Sequence, residues 1–145
     1  MKKYIIIKGK VQGVGFRYWL CQTAIISHLC EKIYTIEIFK KLFDQAKLNI
    51  EKLQITNVTY ELGNVQNICG EKNFFDAIIV SAGTEEVPSQ LLKNLKINGK
   101  LIFPKKYSFE NQKLILIKKI TENNFEKEEL FDVKFVPLLN ENIKH

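Results

Sequence analysis

The chain has 145 residues, of which 46% are hydrophobic and 26% are charged, and it carries a formal net charge of +6. This composition is typical of a folded globular protein and excludes an intrinsically disordered one; the length predicts a single domain over residues 1–145. No apolar stretch is long enough to cross a bilayer, and the apolar run after the basic start is too short for a signal peptide. We therefore expect no membrane association and a cytoplasmic location.

Apart from Arg17, lysines supply the positive charge, and they are scattered along the chain with glutamates among them. This arrangement favours a solvated lysine-rich surface over a nucleic-acid-binding stripe, so we expect no nucleic-acid partner. The cysteines Cys21, Cys30 and Cys69 are odd in number and form no CxxC pair. They are predicted to be buried free thiols. His28 has no second histidine one helical turn away, and we expect no metal site.

The first element is an apolar run followed by three glycines and an arginine, YIIIKGKVQGVGFR over residues 4–17. Such a run predicts the first strand and loop of a βα unit, in which backbone N–H groups and a helix N-terminus bind an anion. Gly13 and Gly15 allow close approach of the backbone to a ligand, and Arg17 offers donors suited to phosphate or carboxylate. The alternative is a hairpin turn with a surface arginine, and spacing alone leaves both open.

The next segment, residues 18–32, has helical periodicity and includes His28 and both Cys21 and Cys30. It is followed by IYTIEI over residues 33–38, which predicts a second strand with Glu37 at its carboxyl end. Glu37 lies about 20 positions after the glycine loop, the offset at which a carboxylate binds ribose hydroxyls in nucleotide-binding βαβ units. The alternative is a glutamate that merely ends a strand beside solvent.

The rest of the chain continues the alternation of helix and strand patterns. In order, it predicts a helix over 39–53, strands over 57–62 and 74–81, a helix over 88–95 closed by Gly99, and strands over 100–104, 113–120 and 129–138. The last two suit an antiparallel hairpin at the sheet edge. The whole pattern predicts an α/β fold with a doubly wound sheet that binds ligands at the carboxyl ends of its strands.

Residues 22–139 resemble the later part of the protein-L-isoaspartate O-methyltransferase family. The resemblance is carried by QTAIISHLCEKIYTIE, FFDAIIVSAGTEEVPSQLLKNLKINGKLIFP and ELFDVKFVPLL, in that order. It implies a Rossmann-like sheet, S-adenosylmethionine as cofactor, and transfer of a methyl group to isoaspartyl carboxylates of damaged proteins. The catalytic residue stays unassigned, and the resemblance places the cofactor against Gly13, Gly15, Glu37, Asn64, Val65 and Val80.

The chain departs from the family pattern in three places. The family has a segment before the first nucleotide-binding strand that this sequence lacks, so we expect a sheet truncated at its N-terminus and weak or absent activity. The family's acidic residue at the end of that strand is replaced by Lys8. Its Gly-Asp-Gly after the third strand is replaced by Gly63-Asn64-Val65.

Residues 1–20 resemble a different family, the acylphosphatases. IKGKVQGVGFR is similar to that family's first signature, in which the loop amides and an arginine, here Arg17, hold a phosphate. The family's second signature, with the asparagine that positions water, has no counterpart after Leu20. Two alternatives to the methyltransferase interpretation therefore stay open: hydrolysis of acyl phosphates at residues 11–17, or a non-catalytic remnant.

Overall fold

A computed structural model of the protein describes residues 3–8, 14–64, 71–108 and 110–136, with side chains described from residue 20 onward. The elements are β1 (Lys3–Lys8), α1 (Val14–Ser27), β2 (Lys32–Glu37), α2 (Lys40–Lys52), β3 (Val58–Leu62), β4 (Phe75–Ser81), α3 (Ser89–Asn94), β5 (Leu95–Lys106), β6 (Gln112–Lys119) and β7 (Phe125–Asp132). Strands and helices alternate from β1 to β3, one further helix lies between β4 and β5, and β6 and β7 follow without a helix.

These strands form one seven-stranded sheet in the order β3-β2-β1-β4-β5-β6-β7. The first five pair in parallel, and β6 and β7 pair antiparallel at one edge. The chain runs outward from β1 to β3 and then returns to place β4 on the other side of β1, which makes the β1–β4 boundary the topological switch point. The predicted doubly wound α/β fold with a C-terminal antiparallel hairpin is confirmed.

Successive residues of β2 pack against the two opposite faces of the sheet, as the strand period requires. Ile33 belongs to a core cluster with Ala46 and Ile50 of α2, which side chains of α1 also contact. Ile36 belongs to the larger cluster, which contains Leu91 of α3 and the buried apolar residues of β4, β5 and β6. The two longer helices therefore cover one face, and α3 covers the other.

The first helix differs from the predicted range at both ends. It begins at Val14, so Gly15 and Arg17 lie within the helix rather than in the loop. A glycine is compatible with helical φ and ψ, and first-turn N–H groups need no intrahelical partner. The helix ends at Ser27 because the carboxamide of Asn57 donates to the carbonyls of Ser27 and Cys30, at 2.8 and 3.0 Å.

The structure corrects the predictions for Cys30 and Cys21. Cys30 lies beyond the helix, half-buried, with its Sγ donating to the Ile26 carbonyl at 3.2 Å. Burial raises the pKa of the Cys30 thiol. Cys21 is exposed rather than buried, because it shares the outward face of α1 with Ile25, one turn later. Cys69 lies outside the described residues.

Two strands also differ from the predicted ranges. β5 starts directly after α3, so Gly99 lies within a strand that is interrupted by a bulge opposite Phe75–Ala77. Asn98 has a φ of 64°, a conformation common in turns. The Asn98-Gly99 pair therefore has the sequence pattern of a helix end, although it lies within a strand. β7 covers Phe125–Asp132 rather than 129–138, because hydrogen bonds to β6 hold a polar, exposed segment that has no apolar alternation.

Candidate functional site

The carboxyl ends of the parallel strands meet at one edge of the sheet, which we call the carboxyl edge. At the switch point, Ile7 of β1 lies between Ile36 of β2 and Val80 of β4, and Lys8 pairs with Ser81. The helix α1 begins six residues after β1, so its N-terminus follows this edge. Ligands of open α/β sheets bind in the crevice at such a point.

Glu37 is the last residue of β2 and stands at this edge with 2% of its surface exposed. Its Oε1 accepts a hydrogen bond from the Phe39 N–H at 3.1 Å. Its backbone carbonyl accepts one from the Gly63 N–H at 3.0 Å. The carboxylate is therefore held in place beside the start of α2, and the turn after β3 is fixed to the end of β2.

The structure brings three of the sequence-predicted residues to the carboxyl edge. Asn64 directly follows the Gly63 turn and is buried, and Val80 is buried in β4 one strand from the end of β1. Glu37 ends β2, Asn64 follows β3, and Val80 is the second-last residue of β4. Gly15 lies in the first turn of α1, and Gly13 and Val65 lie outside the described residues.

A second group of contacts at this edge was missed by the sequence analysis. The carboxamide of Gln112, which is 7% exposed, accepts from the Phe135 N–H at 2.9 Å and donates to the Phe135 carbonyl at 3.0 Å. The Gly83 N–H donates to the Val136 carbonyl at 2.7 Å. A lone glutamine before an apolar strand carries no sequence signal for such a double contact.

The opposite edge carries a buried lysine. Lys119 is fully buried, and its ammonium donates to the carbonyls of Leu92 and Leu95 and to Oδ1 of Asn73. Glu122 accepts from Asn73 and pairs with Lys72 and Lys119, and these hydrogen bonds lower the pKa of Glu122 to about 2. Because the ammonium of Lys119 is held by carbonyls and side chains of the protein itself, we assign this cluster a structural role.

The side chains of the described residues include no group of three or more His, Cys, Asp or Glu residues placed to hold a metal ion. None of the helices α1, α2 and α3 has the length and apolar character needed to cross a membrane. The carboxyl edge is therefore the candidate site that the fold points to.

The sheet order, the switch point and the buried glutamate at the end of β2 define a Rossmann-like fold of the kind found in S-adenosylmethionine-dependent methyltransferases. The family model described as protein-L-isoaspartate(D-aspartate) O-methyltransferase matches residues 12–143. The chain belongs to this family, and the methyltransferase resemblance found in the sequence is confirmed.

Curated relatives of the same description agree with this assignment. A protein-L-isoaspartate O-methyltransferase of Rhodopseudomonas palustris is 37% identical over 127 residues, and one of Nitrobacter winogradskyi is 39% identical over the same length. These alignments cover 88% of this chain and 57% of each relative. The chain thus spans somewhat more than half the length of the curated relatives it matches.

Solved structures show the same fold. One is a putative protein-L-isoaspartate O-methyltransferase from Plasmodium falciparum in complex with S-adenosyl-L-homocysteine, with a TM-score of 0.73 and 29% sequence identity. The match covers 95% of this chain and 66% of the Plasmodium chain. Another structure of a protein-L-isoaspartate O-methyltransferase has a TM-score of 0.80 and 25% sequence identity. That match covers 96% of this chain and 42% of the other chain. The similarity to both therefore extends over nearly the whole chain.

Proposed function

We propose that this chain binds S-adenosylmethionine at the carboxyl edge and transfers its methyl group to isoaspartyl carboxylates of damaged proteins. The observation that carries the proposal is the buried carboxylate of Glu37 at the end of β2, in a chain of the isoaspartate methyltransferase family. Residues 1–145 are proposed to act as a single methyltransferase-like domain.

The donor chemistry at this edge fits the cofactor. A carboxylate held by the Phe39 N–H at the end of the second strand is suited to accept hydrogen bonds from two ribose hydroxyls. Asn64 and Val65 are proposed to border the adenine, and the Asn64 carboxamide can both donate and accept. Gly13 and Gly15 are proposed to let the backbone approach the amino-acid part of the cofactor.

The protein's own part in the proposed reaction is positioning. S-adenosylmethionine supplies an activated methyl group on a sulfonium, and an ionised carboxylate is itself a nucleophile, so no side chain has to remove a proton. The residues of the carboxyl edge need to hold the cofactor, align the acceptor carboxylate and exclude water.

Two replacements at the edge bear on cofactor affinity. Lys8 ends β1, where the family resemblance implies an acidic residue, and Asn64 stands in place of an aspartate. Both changes remove negative charge from a site that must hold a cationic sulfonium and the adenine amine. We therefore expect weaker cofactor binding than in a relative with both carboxylates.

Methyl transfer to an isoaspartyl peptide tests the proposal. With radiolabelled S-adenosylmethionine at saturation, slow incorporation into the isoaspartyl peptide is expected, and none into the same peptide with ordinary aspartate. Absence of both methyl transfer and S-adenosylhomocysteine binding would overturn the proposal in favour of the non-catalytic remnant. A rate near that of a longer relative would contradict the expectation of weak activity.

A second function is proposed from the similarity of residues 11–17 to the acylphosphatase loop, with Arg17 as the phosphate-binding residue. It accounts for the chain's only arginine, and Arg17 falls in the first turn of α1. Hydrolysis of a small acyl phosphate that disappears on Arg17→Ala would support it. If the unsubstituted protein does not hydrolyse the acyl phosphate, this second function is excluded.

A further inference from the structure

The chain leaves the sheet edge after β7 and returns across the carboxyl edge. β7 ends at Asp132, which pairs with Lys113 of β6. The N–H of Val133 then donates to the backbone carbonyl of Gln112 at 2.9 Å, and Val136 reaches Gly83, which follows β4. The segment 133–136, which we call the return segment, thus passes from β6 to the loop after β4, the strand that borders the switch point.

Two contacts hold the return segment in place. The Gln112 carboxamide satisfies both the N–H and the carbonyl of Phe135, at 2.9 and 3.0 Å. Such a double contact fixes both the position and the direction of the backbone, as a strand partner does. The Gly83 N–H donates to the Val136 carbonyl at 2.7 Å, which joins the segment to the loop after β4.

Gly83 and Gln112 also constrain each other. A Cβ on Gly83 would lie 3.2 Å from both the nitrogen and the oxygen of the Gln112 carboxamide. That distance is shorter than ordinary van der Waals contact, so a side chain at position 83 must shift the carboxamide by a few tenths of an ångström. The glutamine, the glycine and the return segment therefore form one unit, in which Phe135 and Val136 are each 37% exposed.

We propose that Gln112 is a positioning residue for the methyl acceptor. By holding the return segment across β5 to the loop after β4, it sets one wall of the crevice on the side away from Glu37. Of the proposed cofactor residues, Glu37 and Asn64 lie at the ends of β2 and β3, and Val80 of β4 lies beside β1 at the switch point. The side from the loop after β4 to β6 is therefore left for the acceptor peptide. This inference rests on the proposed function and extends it to a residue outside the cofactor contacts.

The proposal predicts that a change at Gln112 affects the acceptor and spares the cofactor. Gln112→Glu keeps an acceptor for the Phe135 N–H but loses the donor to the Phe135 carbonyl, so the return segment loses one of its two bonds to this side chain. We expect the Kd and KM for an isoaspartyl peptide to rise about tenfold. The Kd for S-adenosylhomocysteine should change by less than about twofold.

Gly83→Ala tests the same unit from its other side, and Gln90→Glu is the matched control. Gly83→Ala displaces the carboxamide, and we expect it to raise the peptide Kd in the same direction. Gln90 lies in α3 and donates its hydrogen bond to Oδ1 of Asn94 in the same helix. Its variant should bind peptide and S-adenosylhomocysteine as the parent does. Hydrogen exchange at residues 133–136 should quicken in Gln112→Glu and stay unchanged in Gln90→Glu.

The measurement is calorimetry with an isoaspartyl peptide and, separately, with S-adenosylhomocysteine, on the whole chain and the three variants. Weaker peptide binding in Gln112→Glu and Gly83→Ala, with unchanged S-adenosylhomocysteine binding, supports the proposal. Unchanged peptide binding in Gln112→Glu, an equal loss of both ligands, or a parent protein that binds no peptide overturns it. A parent that binds no S-adenosylhomocysteine instead overturns the proposed function.

Discussion

Replacing Lys119 with methionine tests whether the buried lysine at the amino ends of the parallel strands stabilises the fold. The ammonium lies 2.9 Å from the Leu95 carbonyl, 3.2 Å from the Leu92 carbonyl and 2.9 Å from Oδ1 of Asn73. It also lies 3.4 Å from the partly exposed Glu122 carboxylate. Methionine keeps the apolar stem buried but leaves two carbonyls at the end of α3 without this donor.

The magnitude follows from these contacts. Hydrogen bonds to a charged group contribute about 1.5–3 kcal/mol each in mutational series, and removing one partner of a buried ionic contact costs about 3–5 kcal/mol. Since Glu122 is partly exposed and methionine fills most of the space, we expect Lys119→Met to lower the free energy of unfolding by about 3 kcal/mol. With a urea m-value of about 2 kcal/mol/M, the midpoint should fall by about 1.5 M.

Urea denaturation followed by circular dichroism measures this change, and Lys118→Met is the matched control. Lys118 is the preceding residue of β6, is half-buried and lies opposite Glu126 in the β6–β7 register. Because its side chain keeps access to solvent, the control should change the free energy of unfolding by less than about 0.5 kcal/mol. Equal, small effects of both substitutions would refute the structural role assigned to Lys119.

Two further predictions concern Glu122, which lies beside Lys119, and the glycines Gly99 and Gly63. The pKa of Glu122 is lowered from 4.5 to about 2, so the folded state favours its charged form; its stabilising effect is present above pH 4.5 and is lost as the pH falls towards 2. Glu122→Gln should therefore flatten the fall in melting temperature over that range, and an unchanged profile would contradict the assignment. At Gly99 a Cβ would lie 2.7 Å from the Lys96 carbonyl oxygen, whereas at Gly63 no atom lies within 4 Å. Gly99→Ala should lower the free energy of unfolding by about 2 kcal/mol and Gly63→Ala by less than about 0.5 kcal/mol, and equal melting temperatures of the two variants would show the clash to be absent.

The order of elements was predictable because each buried element has its own periodicity. The continuous apolar run FFDAIIVS indicated a central strand, and the 3.6-residue pattern of residues 39–53 indicated α2, which spans Lys40–Lys52. Apolar side chains that face a core recur at the period of the element that carries them. The same periodicity, with the order of motifs, was enough to place Glu37 at the end of β2.

The boundaries that were wrong depend on contacts distant in sequence. The end of α1 is set by Asn57, which lies 27 residues beyond Cys30 and caps the helix from the start of β3. β7 is a strand because β6 lies beside it, since its own residues are almost all exposed. Gln112 likewise has its partner 23 residues away at Phe135. Local patterns carry no information about such pairs, which form only when the sheet has assembled.

The carboxyl edge is proposed to bind S-adenosylmethionine through Glu37, and calorimetry with S-adenosylhomocysteine measures this binding. The parent chain should bind, and Glu37→Gln should weaken binding about 10- to 100-fold, the loss expected for charged hydrogen bonds to ribose hydroxyls. Glu61→Gln, an exposed glutamate of the neighbouring β3, should bind as the parent does. Equal affinities of the parent and Glu37→Gln, or no binding by the parent, would contradict cofactor binding through Glu37.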